Sequence, residues 1–471
     1  MSIEDPSARR APAPSVRDLR RLSRRRFLRM GVSGLGALSL AGLASSCNGP
    51  DQGAAPVDGG TRPTGAGATG GTPSGPIALR HDAGVGPIVE PYVTDFNRRH
   101  PDIELTADFV PQDYFGVTQT QLAAGEVGFD VMFSNPSDSA QWNEAGWLMA
   151  LDDFPEAGEI LGALIPGTED SLRAADGTLI ALPYYVGTEV FVCNTEHLSA
   201  IDADPPQTWE EFVEQCRRLK ADGVVDTPLA PFWTQDFEMT WYPFVAEVMS
   251  IGGTLFDGER PVLQEDPAVR TTLERWQTLY SEGLVPQDIF TTAYGDIVNI
   301  YGGGRATFSL RYGAQVKGWA DPEQSQVAEA STVALIPGTT RDTYRWSANW
   351  NMTASSGNPD AAWALMRYLA YQDPDGEFYV PTNLISKDLA LLTPYDQVNT
   401  AQEVVDSISE YADPDLINEQ LDMSQVLGAA ENRAWFSTFR REMASQLQDI
   451  TRGTVSIDDG LAAAVETIPT S

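Results

Sequence analysis

Apolar residues recur along the first third of the globular chain in two alternating rhythms. Residues 77–81, Ile-Ala-Leu-Arg-His, form a short β-rich run, and a loop follows over 82–86. A helix is predicted over 87–99, with Ile88, Val89, Val93 and Phe96 on one face, and Pro101 stops it. The spacing then predicts a strand over 103–110, a helix over 114–124 and a strand over 129–133. This β-α-β-α-β order predicts an open α/β sheet. Ligands of such sheets sit beyond the carboxyl ends of the strands, which here are His81-Asp82 and the run Ser134 to Asp138.

Residues 176–194 are the stretch around which the rest is organised. Leu179 to Leu182 is an apolar run ended by Pro183; Tyr184, Tyr185 and Gly187 follow, then a second β-rich run from Glu189 to Cys193. Two buried strands joined by a pivot are expected, with aromatic rings at the joint. Tyrosine suits a wet cleft because it offers an apolar face and one hydroxyl. An ordinary core strand with two buried Tyr is the alternative.

Beyond the pivot, Thr208-Trp209-Glu210-Glu211 is a capping-box start for a helix with Phe212, Val213, Cys216 and Leu219 inward. Asp266-Pro267 and Asn358-Pro359 each read as a polar cap followed by Pro in the first turn. Over 431–450, Trp435, Phe436, Phe439, Met443 and Leu447 fall at helical spacing and are assigned to the core.

A chain of 471 residues is too long for one core, so two or more lobes are expected. Net charge is −35; residues 1–46 carry nine Arg against Glu4, Asp5 and Asp18, leaving −41 on the remainder. So acidic a surface repels nucleic acid and excludes that class of partner. The first 47 residues are read as an export segment and kept out of the fold. Ser23-Arg24-Arg25-Arg26-Phe27-Leu28-Arg29 matches the twin-arginine export pattern, and the apolar stretch after it, 30–44, is interrupted by four Gly. That stretch is shorter than the ~20 residues a membrane-spanning helix needs. It runs into Leu43-Ala44-Ser45-Ser46-Cys47, which resembles a bacterial lipobox with Ala44 in place of Leu, so Cys47 is the expected lipidation site. Plain cleavage with a chance Cys is the alternative. Residues 48–76 are Gly, Pro, Thr and Ala with almost no large apolar side chain, and are read as a flexible linker.

Cys193 and Cys216 are expected as two buried thiols, with a disulfide between them the alternative. His81, His100 and His197 lie scattered, without the spacing of a zinc site, so no metal is expected. There is no GxSxG elbow, Walker loop or dinucleotide fingerprint, and no cofactor is expected.

Several segments together resemble the carbohydrate-binding class of extracellular solute-binding proteins that feed ABC importers. They are Phe96 to Ile103, Phe129-Asp130-Val131 with Leu148 to Phe154, Leu182-Pro183-Tyr184-Tyr185, Pro206 to Glu211, Gly252 to Asp257, Glu282 to Pro286 and Asn358 to Trp363, in that order across 77–470. The resemblance implies an α/β, two-lobed periplasmic-binding-protein-like fold with hinge crossings and an interlobe ligand cleft. Crossings are then expected near 186–188, 345–351 and 388–395, making one lobe of 77–186 plus 350–388 and another of 187–345 plus 395–471.

Sugars stack their C–H faces on rings and need polar partners for their hydroxyls. The expected ligand-binding rings are Tyr184, Tyr185, Trp233, Trp241, Tyr312 and Trp350, and the polar groups Asp82, Asn135, Asp138, Asp236, Glu238, Arg311 and Asn351. The resembling proteins often carry a Gly-small-Trp element after the strand at 308–310; here it reads Arg311-Tyr312-Gly313-Ala314, which implies an extra cation in the cleft. The expected function is capture of a carbohydrate without chemistry and delivery to the permease of an ABC importer. The protein would act as a monomer outside the cytoplasm, tied to the membrane by a lipid anchor alone. Alternatives are a polyamine or other small-solute binder of the same fold, or a glycosidase using two cleft carboxylates.

Overall fold

The computed structural model describes residues 70–469 except 112, 126, 235–237 and 374. Its strands are, in chain order, β1 (Gly75–Asp82), β2 (Ile103–Val110), β3 (Val131–Ser134), β4 (Leu182–Thr188), β5 (Val190–Asn194), β6 (Phe256–Asp257), β7 (Arg260–Pro261), β8 (Phe308–Arg311), β9 (Ser331–Ala334), β10 (Thr343–Met352) and β11 (Ser424–Gln425). They form two principal sheets. In the first, β1 pairs in parallel with both β2 and β3, and β10 runs antiparallel between β3 and β4. The second is antiparallel throughout, in the order β8-β5-β9.

The β-α-β-α-β opening is found as expected. Helix Gly86–Arg99 buries Val89, Tyr92 and Phe96 against the first sheet, and Pro101 follows its end. Burying a ring such as Phe96, which is 0% exposed, contributes roughly 1.5–3 kcal/mol. Helix Pro359–Ala370 packs against β1, β4 and β10. Helix Trp209–Ala221 lays Trp209 and Phe212 against Phe191 of the second sheet, while helices Trp241–Ser250, Pro267–Ser281 and Phe436–Arg452 pack on one another, the first of them also against β10.

Capping follows the residue types. The Thr208 hydroxyl accepts from Glu211 N, while the Glu211 carboxylate accepts from Gln207 N, one residue earlier than in a standard box. Asp266 accepts from Ala268 N ahead of Pro267. Asn358 does otherwise: its amide donates to the Pro76 carbonyl, tying the helix start to β1 instead of capping it. The long C-terminal helix begins at Phe436, with a short turn of helix, Gly428–Asn432, ahead of it.

At the pivot the structure shifts the expectation. The strand is not 179–182 but Leu182–Thr188, so the Pro and both Tyr lie within it. Pro183 lacks the N–H that a regular ladder uses, and the register slips there: Tyr185 faces Ala348 while Pro183 faces Asn349. The chain then leaves the first sheet and enters the second across one residue, Glu189. Gly187 is required at its place because a Cβ there would come within 2.3 Å of the Trp346 ring lying across it. Cys193 and Cys216 are free, buried thiols, and burial pushes both thiol pKa values up. Among the described residues no helix is long and apolar enough to cross a membrane.

A candidate ligand cleft between the two sheets

The carboxyl ends of β1 and β3 bring one set of side chains together. Asp82 is half-exposed, and its carboxylate accepts from Gly84 N at 2.6 Å, closing its own loop. Asn135 precedes helix Pro136–Glu144 and donates from Nδ2 to Asp138 at 3.0 Å. Asp138 is 8% exposed. Burial raises its carboxyl pKa, while the Arg440 charge and the Asn135 bond pull it partly back.

Facing it is a group of charges. Arg440 donates to Glu238 at 2.5 Å, and Arg441 reaches the other Glu238 oxygen at 3.4 Å. Glu238 holds a left-handed backbone, φ 57°. Glu431 accepts from the Tyr344 hydroxyl, and burial pushes its pKa up to about 7.

Aromatic rings fill the space beside these charges. Tyr242 lies 5.0 Å from Trp346 between centroids, and Tyr312 lies 5.6 Å from it, both edge to face. Tyr185, Tyr242 and Tyr312 are half-buried. Tyr185 stands close enough to Tyr312, Tyr242 and Arg311 for their charges to act on its hydroxyl, whose pKa is raised chiefly by burial.

Behind the rings, Arg311 is engaged on every side. Its guanidinium lies 3.8 Å over the Tyr312 ring, donates to Glu189 at 3.1 Å and to the Tyr294 hydroxyl at 3.4 Å, and sits over Phe232. Glu189 is 0% exposed, and its other carboxylate oxygen has no hydrogen-bond partner among the described residues. Burial outweighs the single bond from Arg311 and raises its pKa to about 7. The values for both members of this pair rise; since a guanidinium stays charged at any ordinary pH, only the carboxyl titrates. The extra cation expected in the cleft lies behind its rings, 1% exposed and held by Glu189.

Other expected ligand residues lie elsewhere. Trp233 is 0% exposed and packs 4.5 Å from Trp276, and Trp241 is 0% exposed against Phe436 and Phe439; both belong to the core. Tyr184 and Trp350 pack on each other, tilted, with centroids 4.2 Å apart and the Tyr184 hydroxyl 3.2 Å from His81 Nε2, in a buried layer under the cleft. Burial lowers the pKa of His81 to about 4, so the imidazole there is neutral at pH 7. Asn351 is 0% exposed and spends its amide on Ser134, Ser139 and the Ile180 carbonyl, holding β10 to β3. These corrections share one cause. Strand and helix periodicity tell which residues are apolar, not whether an apolar ring meets another ring or open space. Asp236 and Cys47 lie outside the described residues.

The expected set omits Tyr242, Trp346, Glu189, Glu431 and Arg440. Arg440 and Arg441 follow Phe439 as adjacent cations, and nothing local tells that the first is the sheltered one, 13% against 71% exposed. Trp346 lies within the predicted second crossing, at the same kind of place as Tyr185.

A family profile described as bacterial extracellular solute-binding protein matches residues 83–373. Among solved structures, the maltose-bound MalE3 of T. maritima is 19% identical, with a TM-score of 0.70, covering 83% of this chain and 98% of that one. The GacH receptor of Streptomyces glaucescens GLA.O, solved unliganded and with acarbose, is 19% identical, with a TM-score of 0.69, covering 83% and 97%. A solute-binding protein of Thermotoga lettingae TMO bound to α-D-tagatose is 16% identical, with a TM-score of 0.69, covering 83% and 98%. At these identities the likeness shows the fold, which is two-lobed and α/β.

Proposed function

Because the chain belongs to the family of bacterial extracellular solute-binding proteins, we propose that it captures a carbohydrate between its two lobes and hands it to the permease of an ABC importer. The observation that carries this reading is the layer of half-buried rings, Tyr185, Tyr242 and Tyr312 around Trp346, set beside Asn135, Asp138, Glu238 and Arg440. Flat faces next to groups that donate and accept are what a sugar requires, since each ring carbon presents C–H on one side and hydroxyl at its edge.

In this reading the lobes are 77–186 with 350–388 and 187–345 with 395–471, and the first hinge is the stretch in which β4 gives way to β5 around Glu189. The protein works outside the cytoplasm as a monomer, exported by the twin-arginine route and held to the membrane by lipid on Cys47 through the linker 48–76. It performs no chemistry on its ligand. Of the carboxylates expected for a glycosidase pair, Glu238 is already held by Arg440 and Arg441.

The test is a thermal-shift screen of purified protein against mono- and oligosaccharides. A ligand at ~100 times its dissociation constant raises stability by about 2.7 kcal/mol. A binder that raises the melting temperature without turnover meets the expectation. A flat response to every saccharide, or release of reducing sugar, refutes it.

A further inference from the structure

The charges around the cleft are unequal in number and in how they are used. Five buried or half-buried carboxylates stand there, Asp82, Asp138, Glu189, Glu238 and Glu431, against two similarly sheltered guanidiniums, Arg311 and Arg440. Arg311 is taken by Glu189, Tyr294 and the Tyr312 face. Arg440 is taken by Glu238, which Arg441 also reaches from the exposed side. Glu431 accepts from Tyr344. Asp82 accepts from Gly84 N in its own loop, and Asp138 is the more sheltered of the two that remain: among the described residues no cation lies within ion-pair distance of it, and Asn135 is its hydrogen-bond donor. It sits in the first turn of a nine-residue helix, where the N-terminal dipole supports a carboxylate facing the cleft.

We propose that Asp138 is a specificity-determining residue for ligand charge, so that the cleft accepts saccharides presenting hydroxyl or ammonium donors and rejects those carrying a carboxylate or phosphate. The inference rests on the reading above that this cleft takes a saccharide. Its physical basis is twofold. A sugar hydroxyl or ammonium completes the acceptor capacity of Asp138, which the side chain and backbone of Asn135 leave partly unused. An anionic group at the same place meets a carboxylate in a sheltered, low-dielectric position, and neither guanidinium can turn to it without leaving a buried carboxylate unpaired.

The experiment is calorimetric titration of the full chain at pH 7 and low salt with three disaccharides of one skeleton: cellobiose, the β-1,4 glucosamine dimer and cellobiouronic acid. The expected order is the glucosamine dimer at least as tight as cellobiose, and cellobiouronic acid weaker than cellobiose by about tenfold or more. In Asp138→Asn, which keeps the shape of the side chain, the cellobiose-to-uronate ratio falls to within about threefold, and the smaller Asp138→Ser brings it down likewise. The second variant keeps the test decisive should the first melt early. Equal binding of cellobiose and cellobiouronic acid by the wild type overturns the charge selection and leaves saccharide capture standing. A ratio unchanged by both substitutions overturns the role of Asp138. Binding of none of the three, together with a flat saccharide screen, overturns the capture reading and this inference with it.

Discussion

Glu189→Gln tests whether the crossing between the sheets carries a buried proton. The side chain is 0% exposed, bonded through one oxygen to Arg311, and its backbone carbonyl accepts from the Thr343 hydroxyl where β10 begins. Its carboxyl titrates at about 7 in the fold against an ordinary value of 4.5. A folded-state value above the unfolded one means that the folded chain binds the proton more tightly. The stabilisation is complete below about pH 4.5 and is lost as pH rises through 7. At 1.36 kcal/mol per pH unit the interval is worth roughly 3 kcal/mol. For a fold of this size that corresponds to roughly 3–4 °C in melting temperature. Glutamine resembles the protonated acid, so the variant should match the wild type near pH 4.5 and melt roughly 3–4 °C above it at pH 8. Calorimetric melts at half-unit steps between pH 4.5 and 8 give the difference curve. Groups that titrate alike in both proteins cancel from it, including His81, whose pKa burial lowers. Parallel wild-type and variant curves would refute a raised Glu189.

Four further outcomes follow from the same geometry. Tyr185→Ala removes a half-buried ring and should weaken a bound saccharide about tenfold in calorimetry, whereas Tyr312→Phe, which keeps the ring over Arg311, should weaken it less and leave the unliganded melting temperature within ~1 °C of wild type. Trp233→Ala and Trp350→Ala delete fully buried rings and should each cost about 3–5 kcal/mol in urea unfolding; normal stability with lost binding would return those rings to the cleft. Gly187→Ala should push Trp346 aside, lowering both stability and saccharide affinity, whereas wild-type values for both would show that the ring yields freely. Cys193 and Cys216 should resist a thiol reagent in the native protein and react in denaturant, read by intact mass; rapid native labelling would contradict their burial.

The alternating pattern of residues 77–133 determined the first three strands and two helices within two residues or so, because each element's own periodicity and punctuation stop it. Thr208, Asp266 and the Pro after Asp266 likewise marked helix starts through bonds that span only a few residues. The order of short segments pointed to the family before any contact was known. Tertiary structure alone decided which rings face the cleft. Trp233, Trp241 and Tyr185 look alike in sequence, yet two pack on partners more than 40 positions away and the third stands half-open. It also decided that Arg311 is a cation already held by Glu189, 122 positions earlier, and that Arg440 faces Asp138. Local propensity is written over a few neighbouring residues, whereas a binding surface is what remains after distant residues have satisfied one another, and that subtraction takes place only in the folded chain.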